Sequence, residues 1–364
     1  MAHLFTPYTL GDVTLRNRIA VSPMCQYMAE DGVVNAWHHG HLGTLARGGA
    51  GLVVVEASAV SPEGRITPGD VGIWRDDQAE ALAPIARAIE AAGSVPGIQI
   101  AHAGRKASAN RPWEGDDHLP DSDPRAWQPI APSAVAFGGN LSRPPREMSL
   151  ADIERVRQDF VSAAIRARAA GFKWLMLHFA HGYLAQSFFS PFANQRTDVY
   201  GGSAENRARF LIETLRAVRA VWPENLPLSI RLGVVEFAGD DAAMLAEALA
   251  MLRIMKQDGL GFVDVSMGFN TPTARIPWGP GFLGAIAGQV RRETGLPTAT
   301  SWNAASAPQL ADAIVRQGEV DLVMVGRPLL ADPHWPYAAA KALGREDAAA
   351  VLPPPYAHWL ARYR

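Results

Sequence analysis

The sequence predicts a closed (β/α)8 TIM barrel, on three observations. Short apolar, β-branched runs alternate with longer stretches whose apolar residues recur at helical spacing, which is the pattern of a parallel sheet with helices packed outside it. Eight such units fit into 364 residues, more than an open doubly wound sheet usually holds. No glycine-rich turn follows Ser22, where an open dinucleotide-binding sheet would place one.

In chain order, strands are expected at 18–22, 51–57, 97–101, 173–177, 227–232, 262–266, 297–301 and 321–325. Helices are expected at 77–92, 149–170, 205–221, 240–257, 282–294 and 307–317. Ser149 and Asp152 have the spacing of a capping box for the helix that Gly171 ends. Residues 103–148 break the rhythm with seven prolines and many charges. They are read as an insertion after the third strand that caps the barrel mouth, within one domain covering 1–364.

Composition narrows the class. A formal charge of -2 with 19% charged residues gives no footprint for nucleic acid or an anionic membrane surface. The single cysteine, Cys25, leaves nothing to pair in an internal disulfide. No basic leader with an apolar core opens the sequence, and no apolar run reaches membrane-spanning length. A cytoplasmic protein is expected.

The chemistry concentrates at 173–207, where the fourth predicted strand runs into His178, His181 and Tyr183. Lone histidines are ordinarily satisfied core residues, but two with a tyrosine within six residues favour a site. A metal would need further ligands, and no carboxylate or thiol stands at a matching offset. Two ring N–H donors sharing one developing oxyanion is the favoured reading. A barrel brings the other strand ends to the same face: Pro23, Met24, Cys25, Tyr27, Glu56, Ala57, Gln99, His102, Arg231, Trp302, Gly326 and Arg327. Gln99 and Arg231 alternate with apolar neighbours and should point inward. A buried arginine needs an acidic or electron-rich partner, yet no carboxylate is evident on a facing strand. Gly326 and Arg327, after the eighth strand, stand where barrels bind phosphate.

Taken together, 23–27, Glu56 and Ala57, 99–106, 178–183, 194–207 and 325–327 resemble the Old Yellow Enzyme family of flavin-dependent ene-reductases. The pattern is nearest to the xenobiotic reductases of its thermophilic-like class, and the likeness runs from Leu4 to the C-terminus. The resemblance implies non-covalent FMN, with Pro23, Met24, Cys25, Ala57, Gln99 and Trp302 around the ring system. Arg231 would face N1 and the C2 carbonyl, and Gly326 and Arg327 the phosphate. It implies NADPH or NADH as electron donor and an activated alkene held by His178 and His181. Tyr183 would act as proton donor, Cys25 would tune the flavin, and Tyr27 and Trp302 would shape the pocket. It further implies a homodimer, in which the segment 352–364 brings Trp359 to the neighbouring site. Two departures from the family pattern stand out. The loop after the seventh strand reads Trp302, Asn303, Ala304, Ala305 in place of a glycine-containing turn, and Pro328 and Leu329 follow Arg327 in place of Ala-His. A phosphosugar lyase, a metal-dependent hydrolase and a non-catalytic flavin carrier are the rival readings.

Overall fold

The computed structural model describes residues 2–363; the outermost positions of the predicted domain and C-terminal segment, Met1 and Arg364, lie outside the described residues. Eight parallel strands close a barrel in chain order: β1 Ile19–Val21, β2 Leu52–Ala59, β3 Val95–Ala101, β4 Trp174–Phe179, β5 Leu228–Val235, β6 Phe262–Met267, β7 Thr298–Thr300 and β8 Leu322–Val325. Each expected strand is present. The six expected helices are also there, as α2 Asp76–Ala91, α3 Leu150–Ala169, α4 Ala204–Arg219, α5 Asp241–Gln257, α6 Gly284–Thr294 and α7 Pro308–Arg316. Two further helices complete the ring, α1 Ala36–Arg47 and α8 Trp335–Ala342.

Local chemistry fixes the element ends. The backbone N–H of Asp152 donates to Ser149 Oγ while Asp152 accepts from the Ser149 backbone, and Gly171 takes the left-handed φ of +94° that ends α3. Helix α1 starts with Asn35 and His38 exchanging backbone bonds as a capping box. That signal is weak in sequence, because His stands where Glu or Gln is usual.

Side chains alternate across each strand, so every second residue enters the barrel. Trp174, Phe262, Leu52 and Leu322 form an apolar lower layer, against which Val13 and Leu15 of an N-terminal hairpin pack. The same alternation carries upward. Trp174, Met176 and His178 share the inner face of β4, and Phe262, Asp264 and Ser266 share that of β6. A larger apolar cluster fills the space between strands and helices. Ser229 Oγ accepts from the Trp174 indole at 2.9 Å in the lower layer, while His178, Arg231, Asp264 and Ser266 enter nearer the C-terminal ends of the strands.

The stretch 103–148 holds short 3-10 turns and a two-stranded parallel sheet, Ile130–Ala131 with Arg146–Glu147. A short helix, Pro354–Leu360, rests on the 3-10 turn Ala348–Val351 and leaves Trp359 75% exposed. No helix among the described residues is long and apolar enough to cross a membrane.

Candidate active site

The strand ends surround a cavity of about 1030 Å³. Of the residues predicted for the site, Pro23, Met24, Cys25, Tyr27, Ala57, Gln99, His178, His181, Tyr183, Arg231, Trp302, Gly326 and Arg327 all line it. Trp359 does not line the cavity of its own chain. Glu56 and His102, read as strand-end groups, lie behind the wall. A register shift in β2 after Val55 turns Glu56 out, so that Ala57 faces the cavity. Glu56 instead accepts the Gln26 backbone N–H at 2.8 Å and so holds the loop carrying Cys25 and Tyr27. His102 Nδ1 accepts the Gly104 N–H at 3.0 Å.

His178 is the fifth residue of β4 and lies beside Arg231 in the sheet register. The predicted strand ended one residue short of it, because a polar residue reads as loop. His181 sits in the turn beyond, in a left-handed conformation at φ +63°. Lys106 pins that turn by donating to the carbonyls of His181 and Phe269 at 2.7 and 2.8 Å. Burial lowers its ammonium to about 7. The His178 ring is 4.9 Å from those of both His181 and Tyr183, at 86° and 90°.

Hydrogen bonds orient both rings. The Ala180 N–H donates to His178 Nδ1 at 3.3 Å, leaving Nε2 to carry the proton. Trp302 Nε1 donates to Ser266 Oγ at 3.0 Å, and that hydroxyl lies 2.8 Å from His181 Nε2. Ser266 thus ties the His181 ring to Trp302 through Nε2, since a hydroxyl that accepts the indole proton can still donate to, or accept from, that nitrogen. Burial, reinforced by Arg231, holds both imidazoles well below the ordinary histidine range. Each is therefore neutral and keeps one N–H donor. Burial first, then Cys25, pushes the Tyr183 phenol well up, so it stays protonated. Burial, then Asp70 and Glu56, does the same for the Cys25 thiol. Among the described residues no cluster of three or more His, Cys, Asp or Glu is placed to hold a metal.

Arg231 does have the partner that the sequence reading failed to find. Asp264 on β6 brings Oδ2 to 3.0 Å from Arg231 Nε, both side chains buried. In sequence, a carboxylate amid Phe262, Val263 and Val265 gives no indication of which neighbouring strand it meets. Also absent from the sequence reading are Ser266, Ser301 and Pro112. Ser301 Oγ accepts from Arg231 Nη2 at 2.7 Å. Pro112 brings the 103–148 stretch to the cavity edge, and Trp113 meets Tyr27 edge-on at 5.9 Å.

The cavity is also lined by 303–306 and by Gly326 to Pro328. Trp302 and Asn303 have φ of +50° and +64°. The latter is the glycine-like conformation that asparagine tolerates best among other residues. Gly326 caps the short helix Arg327–Ala331, with Pro328 in its first turn. A Cβ on Gly326 would come within 3.4 Å of Met24 Sδ. A cavity of this volume lined by Pro23, Met24 and Ala57, by the buried guanidinium of Arg231 and by Gly326 and Arg327 at a helix start fits FMN. The donors and charges match a flat heterocycle at one end and a phosphate at the other.

Comparison with known proteins agrees. Residues 3–346 match the NADH:flavin oxidoreductase / NADH oxidase family. The chain is 43% identical over 344 residues to an NADPH dehydrogenase of Geobacillus thermodenitrificans, covering 94% of each chain. It is 40% identical over 350 residues to one of Bacillus subtilis, covering 96% of this chain and 97% of that one. Among solved structures, morphinone reductase in complex with tetrahydroNAD superposes with a TM-score of 0.78 at 29% identity, over 93% of this chain and 90% of that chain. An Old Yellow Enzyme homologue from Zymomonas mobilis gives 0.78 at 26% identity, over 97% and 98%. The chain thus belongs to the NADH:flavin oxidoreductase / NADH oxidase family, as an FMN-dependent NADPH oxidoreductase of the Old Yellow Enzyme type.

Proposed function

We propose that the enzyme reduces the C=C bond of α,β-unsaturated carbonyl compounds and related activated alkenes, with nitro compounds and other xenobiotics as further substrates. When bound, FMN supplies hydride uptake from NADPH or NADH and hydride delivery to the alkene β-carbon. The observation that carries the reading is the convergence of two neutral imidazoles and a protonated phenol on one cavity. His178 Nε2–H and a ring N–H of His181 donate to the carbonyl or nitro oxygen, where charge grows as the β-carbon receives hydride. Tyr183 gives its hydroxyl proton to the α-carbon from the side opposite the hydride, so addition is trans. Tyr27 and Trp302 set the width of the pocket. Pro23, Met24, Cys25, Ala57 and Gln99 bear on the ring system, with Arg231 at its N1 edge. Gly326 and Arg327 take the phosphate.

The protein acts in the cytoplasm as a homodimer, with Trp359 at the partner's site. Support for the dimer comes from Trp359, 75% exposed on a short C-terminal helix, and Tyr363, 68% exposed just after it.

The test is direct. Purified protein should be yellow with releasable FMN, bleach with NADPH and recover colour with an enone. A colourless protein, or one whose reduced flavin is reoxidised by oxygen but by no enone, maleimide or nitro compound, would overturn the reading.

A further inference from the structure

Asp264 faces Arg231 across the β5–β6 register, wholly buried and outside the lining of the cavity. Its Oδ2 is 3.0 Å from Arg231 Nε, yet neither carboxylate oxygen accepts a hydrogen bond from any described residue. On its other side the guanidinium is drawn away, with Nη2 donating to Ser301 Oγ at 2.7 Å. Arg231 therefore lines the cavity while pairing with a bare carboxylate that does not. A buried ion pair satisfied so incompletely is a poor way to stabilise a barrel, because desolvation of the carboxylate is repaid by a single cation. An amide or apolar side chain would fill the layer at lower cost. Burial raises the Asp264 carboxyl to about 6, with Arg231 opposing the rise. The carboxylate form therefore dominates at neutral pH.

We propose that Asp264 is the counter-ion through which the barrel sets how much positive charge Arg231 presents to the flavin, and hence the flavin reduction potential. This rests on the placement of FMN against Arg231 proposed above. Reduced flavin gathers negative charge at its N1 edge, and a lone guanidinium there would favour the reduced state strongly. A carboxylate on the guanidinium's far side cancels part of that field. Ser301 works in the opposite sense by keeping the guanidinium raised. Asp264 thus acts through Arg231 and touches neither substrate nor cofactor.

The experiment is a spectroelectrochemical titration of FMN-loaded enzyme. Asp264→Asn should shift the oxidised-to-reduced ratio at a given potential at least tenfold towards reduced, a rise of about 30 mV for a two-electron couple. Asp264→Glu, which keeps the charge, should stay near the parent. Ser301→Ala, which lets the guanidinium settle onto Asp264, should shift the ratio the other way. Parent-like potentials in yellow Asp264→Asn and Ser301→Ala proteins would overturn the proposal. Should Asp264→Asn not fold, an unmoved potential in Ser301→Ala is sufficient to do so. A parent protein that takes up no FMN would instead overturn the function proposed above.

Discussion

Ser266 ties His181 to Trp302. Its hydroxyl accepts the Trp302 indole N–H and lies 2.8 Å from His181 Nε2, which fixes how the imidazole ring is turned in the cavity. Ser266→Ala removes that constraint without altering the cavity lining. Binding of a phenol to the oxidised enzyme should weaken by about 1 kcal/mol, roughly fivefold, the worth of one hydrogen bond. Titration of the flavin absorbance with a para-substituted phenol measures it. Parent-like affinity would mean that His181 is oriented by its packing alone.

His178→Ala and His181→Ala should each slow enone-driven flavin reoxidation and weaken phenol binding with FMN retained. The loss of one oxyanion donor costs about 2.7 to 4 kcal/mol in the barrier. Both imidazoles are held well below the usual range by burial, so phenol affinity in the parent should show no protonation step near 6.5. The sign for stability follows. With the folded pKa below the unfolded one, the folded chain binds fewer protons in the interval between them. These two positions therefore favour unfolding as pH falls through about 6.5. A step in affinity centred there would show an imidazolium in the site.

Much of this was legible in the sequence because strand alternation and barrel topology leave little freedom. Gln99 and Arg231 alternate with apolar neighbours on their strands and so must enter the barrel near its mouth, and both line the cavity. Positions set by irregular backbone were less legible. Glu56 follows the alternation of β2 until the register shift after Val55 turns it outward. Pairings between strands were not legible at all. Asp264 and Ser266 look like ordinary interruptions of an apolar run, and only the neighbouring strands and loops make one the partner of Arg231 and the other the partner of His181.

Asn303 meets the backbone demand that the family pattern answers with glycine. At φ +64° a residue with an ordinary Cβ pays about 1–2 kcal/mol. Asn303→Ala should therefore raise the FMN dissociation constant or lower the melting temperature, whereas Asn303→Gly should leave both near the parent. Fluorescence titration of apoprotein with FMN separates the two variants. Equal behaviour of Ala and Gly would show that the loop relaxes at no cost.

Burial, with Asp70 and Glu56, pushes the Cys25 thiol well above its ordinary range, so little thiolate exists at pH 8. Alkylation by iodoacetamide should be far slower than for a free thiol, since the thiolate is the nucleophile. Cys25→Ser should keep fold and FMN while shifting the flavin potential and the apparent substrate affinity. If potential and both half-reactions match the parent, the thiol is a packing group only.

Tyr183→Phe should slow alkene reduction and leave flavin reduction by NADPH unchanged, because only the second half-reaction needs a proton delivered to carbon. The ring of Tyr183 is 4.9 Å from that of His178 and 6.4 Å from that of His181, so one bound alkene can touch all three. Its phenol is kept protonated by burial, which leaves the proton in place until a carbanion-like α-carbon, far more basic than the phenolate, forms beside it. General acids contribute about 10²- to 10⁴-fold, and stopped-flow traces of the two half-reactions should separate by that amount for an enone. A nitroalkene should be slowed less, since its nitronate is stable enough to leave the site and protonate in solution. Equal slowing of both half-reactions would show that Tyr183 shapes the cavity for both ligands and is not the proton donor.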